Sequence, residues 1–186
     1  NDVQKKGLKY YEDILKRIPR NEIVDYETKL LRAFNKIKNK KSTMEIVGSY
    51  RKGAETSGDI DIIITDEKND VSVFHKFIDS LIEKSIIIEV LSRGDVKSLC
   101  ISKIRGKPAR RIDFMFTPRR EKAFAILYFT GNKEFNTVMR AKALDLGYSM
   151  NEHGLYHMEN GIKTTKLTKY FPDELDVFKF LGIEYR

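Results

Sequence analysis

The sequence that decides the fold is GSYRKGAETSGDIDIII, residues 48–64. Its last three residues, 62–64, are apolar and β-branched, which predicts a buried strand. Asp59 and Asp61 lie two positions apart, so their side chains point to the same side of that strand, roughly 7 Å apart along the chain. Two carboxylates on a core strand are costly unless a cation neutralises them. Because the sequence offers oxygen ligands and no Cys/His cluster, Mg²⁺ or Mn²⁺ is the cation that fits.

A third carboxylate lies in residues 111–116, RIDFMF, which form a second strand-like segment. If this strand pairs beside the first, Asp113 converges with Asp59 and Asp61. Three carboxylates can bind two divalent ions about 3.5–4 Å apart, the geometry of in-line phosphoryl displacement. Taken singly, each motif has a simpler explanation: Asp-Ile-Asp occurs in solvated turns, and Asp113 could pair with the adjacent arginines.

Small and hydroxyl residues precede the acidic pair. Gly48, Ser49 and Gly53 can present backbone N–H groups and a hydroxyl to phosphate oxygens. An ordinary tight turn is the alternative explanation of the same residues. Their short distance along the chain from Asp59 and Asp61 favours the phosphate interpretation.

Residues 48–61 resemble the signature of the DNA polymerase β-like nucleotidyltransferases and, more narrowly, of the family X DNA polymerases. The resemblance covers nearly the whole chain. Residues 7–20 look like the segment that leads into the palm, and residues 111–113 look like its third-aspartate strand. Residues 127–131 and 135–141 look like nucleotide-binding helices. The resemblance implies an α+β fold: a nucleotidyltransferase palm (a mixed sheet backed by helices), then a small α+β subdomain with a β-hairpin.

The resemblance also assigns site residues. It implies that Asp59 and Asp61 ligate two Mg²⁺ ions, for which Mn²⁺ can substitute. Asp113 would ligate mainly the catalytic ion and help to deprotonate the primer 3′-hydroxyl. The implied nucleotide-binding residues are Arg17, Gly48, Ser49, Lys52, Gly58, Tyr128, Phe129, Gly131 and Asn136. The implied DNA-binding residues are Arg111, Lys133 and Arg140.

Three of these basic residues have a qualification. Lys52 stands where the family often has arginine. Lysine can neutralise a phosphate but lacks the bidentate fork, so we expect looser positioning of the nucleotide. Arg17 could equally be a helix-surface arginine, and Arg111 could simply pair with Asp113.

The implied function is templated DNA synthesis: addition of dNMP to a DNA 3′-hydroxyl with release of pyrophosphate, in short-gap filling during DNA repair such as base excision repair. The partners would be a dNTP and primer–template or gapped DNA. Template-independent members commonly carry a tryptophan-glycine element where this chain has residues 129–131, and the chain has no Trp, which favours templated synthesis. A template-independent or RNA-directed nucleotidyltransferase and a non-catalytic DNA-binding module are the alternatives.

The composition agrees with a polyanionic partner without requiring one. The 186 residues include 35 basic and 27 acidic side chains, a net charge of +8, which favours nucleic acid over other partners but also suits a well-solvated basic protein. The lone Cys100 cannot form an internal disulfide, so we expect an intracellular protein, nuclear if the source is eukaryotic. No apolar run approaches the roughly 18 residues of a membrane span. We expect a monomer.

Three parts are expected along the chain. Residues 1–40 would be a helical lead-in that ends a DNA-binding subdomain, residues 41–117 the catalytic palm, and residues 118–186 the nucleotide-binding subdomain. Because the chain begins at Asn1 rather than Met, we expect a fragment. The family's amino-terminal lyase domain and helix-hairpin-helix element would then lie outside it.

Local patterns predict the boundaries of several elements. Helices are expected over residues 3–18 and 20–38, separated at Pro19. Thr117-Pro118 predicts a helix start, with Thr as N-cap and Pro at the first position. Asn160-Gly161 predicts the type I′ turn of a β-hairpin.

Overall fold

The computed structural model describes residues 2–184, with the side chains of residues 2–4 and 6 excepted. The chain divides into two compact units, residues 1–117 and residues 118–186. The assignment of separate roles to a lead-in, a palm and a nucleotide-binding subdomain stays a prediction. None of the helices in the described residues is both long and apolar enough to cross a membrane.

The first unit contains five helices among the described residues: α1 (Asp2–Lys9), α2 (Tyr11–Ile14), α3 (Arg20–Ile37), α4 (Gly48–Arg51) and α5 (Ser72–Glu83). The prediction of one helix over residues 3–18 is wrong, since the helix is interrupted at Tyr10 and ends at Ile14. A residue before proline is pushed into extended backbone. Ile18 is accordingly extended and pairs with Ser57.

The strands of this unit are β1 (Ile18–Pro19), β2 (Ser42–Ile46), β3 (Thr56–Ser57), β4 (Ile60–Asp66), β5 (Ile87–Arg93), β6 (Lys97–Ser102) and β7 (Arg110–Phe116). Five of them form a sheet in the order β2-β4-β7-β6-β5, and β1 pairs with β3. Within the five-stranded sheet only β4 and β7 run parallel. The sheet is therefore mixed, as the sequence predicts.

The pairing of β4 with β7 sets which residues lie side by side. Asp61 is opposite Asp113, and Ile62 is opposite Phe114. Successive residues of a strand face opposite sides of the sheet. Ile62 and Phe114 therefore face the core, while Asp61 and Asp113 share the other face.

Helices α3 and α5 cover the apolar face of the sheet. Phe34 of α3 contacts Phe77 of α5 edge-to-face, with ring centroids 5.1 Å apart, and Phe77 contacts Phe114 of β7 in the same way at 5.8 Å. Such aromatic pairs add about 0.5–1.5 kcal/mol to the stabilisation from burial. Packing on the apolar face of the sheet thus fixes the position of β7 and of Asp113, which lies on the opposite face.

The second unit comprises α6 (Lys122–Thr130), α7 (Lys133–Asp145), β8 (Tyr148–Asn151), β9 (Gly154–Glu159), β10 (Ile162–Lys166) and α8 (Glu174–Leu181). Its strands form an antiparallel sheet in the order β10-β9-β8. Asn160 and Gly161 both have positive φ, 51° and 75°, which confirms the predicted turn between β9 and β10.

The prediction of Thr117 as N-cap and Pro118 as the first helical residue is wrong, because helical backbone begins only at Arg119. Pro118 is extended (φ −56°, ψ 145°) and leads into a 3₁₀ turn at Arg119–Glu121. Helix α6 begins only at Lys122, after this turn. Proline fixes φ alone, so the extended ψ at Pro118 is compatible with its ring.

A buried ion pair joins β7 to α3. Arg110 Nε lies 2.7 Å from Glu22 Oε1, and Arg110 Nη2 donates to Glu22 Oε2 at 2.9 Å. Both residues are only 3% exposed. Arg110 Nη1 also donates to the carbonyl of Lys16 at 2.9 Å. This bidentate pair links the strand that carries Asp113 to the start of α3.

Arg110→Met should lower the free energy of unfolding by about 3–5 kcal/mol, because it leaves the Glu22 carboxylate buried and unpaired. Urea denaturation measures the loss. Arg105→Met, at an exposed turn position, removes the same charge and serves as the matched control. Equal midpoints for the two variants would contradict this role of the pair.

Candidate active site

Three aspartates converge at one end of the parallel strand pair. Asp61 and Asp113 are register neighbours on β4 and β7, and Asp59 lies immediately before β4. One carboxylate oxygen from each residue lies within 4.8 Å of the other two. The spatial convergence that the sequence predicts is therefore present, and all three side chains are partly buried.

Burial and neighbouring charge oppose the ionisation of Asp61 and Asp113. Burial, and after it the nearby charges of Asp59 and Asp113, together raise the pKa of Asp61 to about 7. Burial also raises the pKa of Asp113, although Arg111 acts in the opposite direction. The site favours a bound cation or a proton over three free negative charges.

Arg111 supplies part of the compensating charge. Its Nη2 lies 3.0 Å from Asp113 Oδ2 and 3.5 Å from Asp59 Oδ2. The ion pair with Asp113 that the sequence offers as an alternative is thus present. One guanidinium cannot balance three carboxylates, however, and the buried Asp113 Oδ1 has no hydrogen-bond partner among residues 2–184. The all-oxygen donor set fits a divalent metal ion.

The loop before β4 packs against the acidic group. Gly48 has a φ of +67°, and a Cβ at this position would lie 2.8 Å from Asp61 Oδ2. Only glycine meets both the backbone and the space requirement. The predicted Gly48-Ser49 turn is in fact the start of the one-turn helix α4, and the Ser49 hydroxyl donates to Ser57 Oγ at 2.7 Å.

The other predicted phosphate-binding residues lie on or beside the same loop. Arg17 donates through Nε to Thr56 Oγ1 at 3.1 Å and through Nη2 to the Thr56 carbonyl at 2.7 Å. Its Nη1 lies 3.4 Å from where a Cβ of Gly58 would be. Lys52 is exposed directly after α4. Arg17, Gly58 and the acidic pair are thus neighbours.

Two residues of α3, Arg20 and Glu27, bind the loop through Tyr50, and the sequence did not predict these contacts. Arg20 Nη1 donates to the Tyr50 carbonyl at 2.7 Å, and its guanidinium lies 4.4 Å from the centre of the Tyr50 ring. The Tyr50 hydroxyl donates to Glu27 Oε2 at 2.8 Å. These contacts join positions more than twenty residues apart, and no local pattern in the sequence indicates them.

In the second unit, the predicted residues cluster at the junction of α6 and α7. Asn136 Nδ2 donates to the carbonyls of Tyr128 at 2.9 Å and Gly131 at 3.3 Å. A Cβ at Gly131 would clash with the ring of Phe135 and lie 2.9 Å from Asn136 Oδ1. Glycine at position 131 therefore allows α7 to approach the end of α6.

The remaining predicted residues of this unit surround Tyr128. The Tyr128 and Phe129 rings meet edge-to-face at 5.0 Å, and the Arg140 guanidinium lies 5.3 Å from the Tyr128 ring centre. Lys133 is exposed at the first position of α7. The structure brings Arg140 and Tyr128 together but places Lys133 at the helix start.

Comparison with known proteins identifies both units. The DNA polymerase beta palm family matches residues 17–119, more than half of the chain, and the DNA polymerase beta thumb family matches residues 125–186. The chain belongs to the family X DNA polymerases. We therefore call residues 1–117 the palm unit and residues 118–186 the thumb unit.

Two curated relatives carry the same name. DNA polymerase lambda from Rattus norvegicus is 34% identical over 194 residues, which cover 97% of this chain and 34% of the relative. DNA polymerase lambda from Arabidopsis thaliana is 32% identical over 203 residues, which cover 98% of this chain and 38% of the relative. The chain spans little more than a third of the length of these relatives. The family and fold expected from the sequence are confirmed.

Asp61→Asn should stabilise the palm in EDTA above pH 7 and have little effect near pH 4. The folded protein holds the Asp61 proton up to a pKa of about 7, whereas the ordinary value is 3.8. Between these values the folded state binds more protons, so the free energy of unfolding falls as pH rises. Asparagine does not ionise, so the variant avoids this loss of stability. The loss amounts to a few kcal/mol, at about 1.4 kcal/mol per pKa unit.

Denaturant titrations across this pH range measure the effect. Asp95→Asn, at an exposed position in the β5–β6 loop, is the matched control. An Asp61→Asn stabilisation that is the same at every pH would contradict the assigned cause.

Proposed function

We propose that this chain is the catalytic core of a templated DNA polymerase. It adds dNMP to a DNA 3′-hydroxyl with release of pyrophosphate, and it fills short gaps during DNA repair. The observation that supports this most is the group of three carboxylates within 4.8 Å of one another. Its substrates are a dNTP and primer–template or gapped DNA.

Asp59, Asp61 and Asp113 are the proposed ligands of two Mg²⁺ ions, with Mn²⁺ as a substitute. When bound, such ions lower the pKa of an attacking hydroxyl and offset phosphoryl charge. Asp61 releases its proton on binding the cation, so affinity rises with pH through its pKa of about 7. Asp113 Oδ1 is buried without a hydrogen-bond partner in the described part of the chain, which supports Asp113 as a ligand.

The palm loop is the proposed triphosphate site. Ser49 and the backbone of Gly48 and Gly58 face the phosphates, while Arg17 and Lys52 supply positive charge. Arg17 is held by two hydrogen bonds to Thr56, so it loses little freedom on binding. Exposed Lys52 makes no such side-chain hydrogen bond within the described residues, in line with the looser positioning expected of lysine.

The thumb unit provides the proposed nucleotide-selecting surface. Tyr128, Phe129, Gly131 and Asn136 contact the incoming sugar and base. Arg140, stacked on Tyr128, contacts the template strand. Two further residues, Lys133 and the palm residue Arg111, contact DNA, Arg111 near the primer terminus. Because Arg111 is 43% exposed, it can pair with Asp113 and still reach a ligand.

Two properties of the whole protein stay predictions. We expect a monomer, which sedimentation equilibrium tests. We also expect an intracellular location, in the nucleus if the source is eukaryotic, which a fluorescent fusion tests.

Asp113→Asn should reduce extension across a one-nucleotide gap by about 10³-fold or more while the fold survives. It removes one carboxylate from a site whose cations supply several kcal/mol of transition-state stabilisation. A primer-extension assay with Mg²⁺ measures the loss, and Asp95→Asn is the control. Near-normal extension by the variant would refute the assignment. Ribonucleotide addition to a single strand without template by the unaltered chain would instead favour a tailing enzyme.

Arg140→Ala should lower templated extension by about tenfold, the effect of losing one DNA contact of about 1.4 kcal/mol. Binding of dNTP alone should change less, because Arg140 is assigned to the template rather than the nucleotide. Steady-state kinetics on matched and mismatched primer–templates measure both effects. Lys142→Ala removes the same charge from α7 as a control. Identical behaviour of the two variants on both substrates would count against the role of Arg140.

A further inference from the structure

The thumb unit contains a recess that the proposed polymerase site does not use. It has a volume of about 170 Å³ and lies between the start of α6, the β8–β9 turn and the segment that follows β10. Its floor is apolar, formed by Phe124, Leu155, Leu167 and Phe171. The Phe124 and Phe171 rings pack edge-to-face at 5.1 Å, and the Leu167 amide donates to the Leu155 carbonyl at 2.8 Å. These contacts make the floor a fixed surface.

The rim of the recess is basic. Arg120, His153, Lys166 and Lys169 line it, and no aspartate or glutamate within the described part of the chain does so. Glu121 lies beside the rim: Lys166 Nζ is 2.6 Å from its Oε1, and His153 Nδ1 is 2.8 Å from its Oε2. Burial would raise the pKa of Glu121, but the bonds from Lys166 and His153 outweigh it and hold that pKa below its usual value. Glu121 therefore offsets the charge of Lys166.

Arg120 and Lys169 keep their charges available. In the part of the chain that the structure describes, neither pairs with a carboxylate. Arg120 Nη1 donates to the Thr168 carbonyl at 3.3 Å, which holds the guanidinium at the rim. Lys169 Nζ lies 5.6 Å from the Phe171 ring centre and 5.1 Å from that of Phe180. The charges of Arg120 and Lys169 thus lie at the rim of a recess with an apolar floor.

A glycine keeps the recess open. Gly154 has a φ of +138°, a conformation that residues with a side chain rarely adopt. A Cβ there would lie 3.1 Å from Lys166 Cε and 4.0 Å from Phe124 Cε2. A side chain at this position would press on Lys166, which is bonded to Glu121, and would occupy the recess.

We propose that this recess binds a phosphate monoester. Cations beside low-dielectric walls concentrate positive potential, the guanidinium of Arg120 matches two phosphate oxygens, and Lys169 adds a point charge. The apolar floor receives the organic group next to the phosphate. The volume is many times the roughly 10–15 Å³ that a single water needs. A free nucleoside monophosphate and the phosphorylated end of a nucleic acid strand share this chemistry.

The test is a titration of the ¹⁵N-labelled 186-residue chain with dAMP in EDTA, which removes the cations that the palm carboxylates would use. We expect amide shifts centred on Leu155 and Thr168. Arg120→Met/Lys169→Met should weaken binding at least tenfold. Lys163→Met/Lys179→Met, with the same loss of charge at exposed positions of β10 and α8, should leave it unchanged. Should the first double variant fail to fold, Lys169→Met alone should still weaken binding at least threefold.

Further arms separate the sources of the phosphate. Deoxyadenosine should not bind, and 5′-phosphorylated hexathymidylate should bind at the recess more tightly than the unphosphorylated strand if strand ends are accepted. Binding by dAMP alone would support the proposal with a free nucleotide as its source. Equal binding of deoxyadenosine and dAMP, equal affinities of the two double variants, or shifts only elsewhere in the chain would overturn it.

Discussion

The structure depends on the parallel pairing of β4 with β7. This register sets Asp61 beside Asp113 and brings Asp59 within reach, so three carboxylates meet at a partly buried position. Such a group destabilises a fold unless something offsets it. The other face of the same strands is apolar and is buried under α3 and α5. Its burial offsets the electrostatic cost of the three carboxylates. Stability and site thus occupy opposite faces of one sheet.

Two neighbouring arginines on β7 form ion pairs with different roles. Arg110 faces inward and binds Glu22 and the Lys16 carbonyl, so it anchors the strand without touching the acidic group. Arg111 faces the carboxylates and stays partly exposed, so its pairing with Asp113 is open to exchange. Arg111, even with the more distant charge of Lys97, does not balance three carboxylates, and Asp113 Oδ1 has no hydrogen-bond partner among residues 2–184. A divalent cation, the proposed occupant of this site, would supply the missing positive charge.

The sequence predicts what local chemistry controls. The isoleucine run of β4, the Asp113 strand and the Asn160-Gly161 turn follow from β-branching, alternation and positive φ, and each is present. The interruption at Tyr10 and the extended backbone at Pro118 do not follow from amphipathic periodicity or from capping rules. The same holds for the contacts of Arg20 with Tyr50, because they join segments distant in the chain.

The most direct test of the central claim is anomalous diffraction from crystals of this chain soaked in Mn²⁺ at a pH above the pKa of Asp61. We expect a manganese peak coordinated by Asp59, Asp61 and Asp113, and we expect no such peak in crystals of Asp113→Asn. A manganese peak elsewhere, or none, with Arg111 still paired to Asp113 and Asp59 at saturating Mn²⁺, would contradict it.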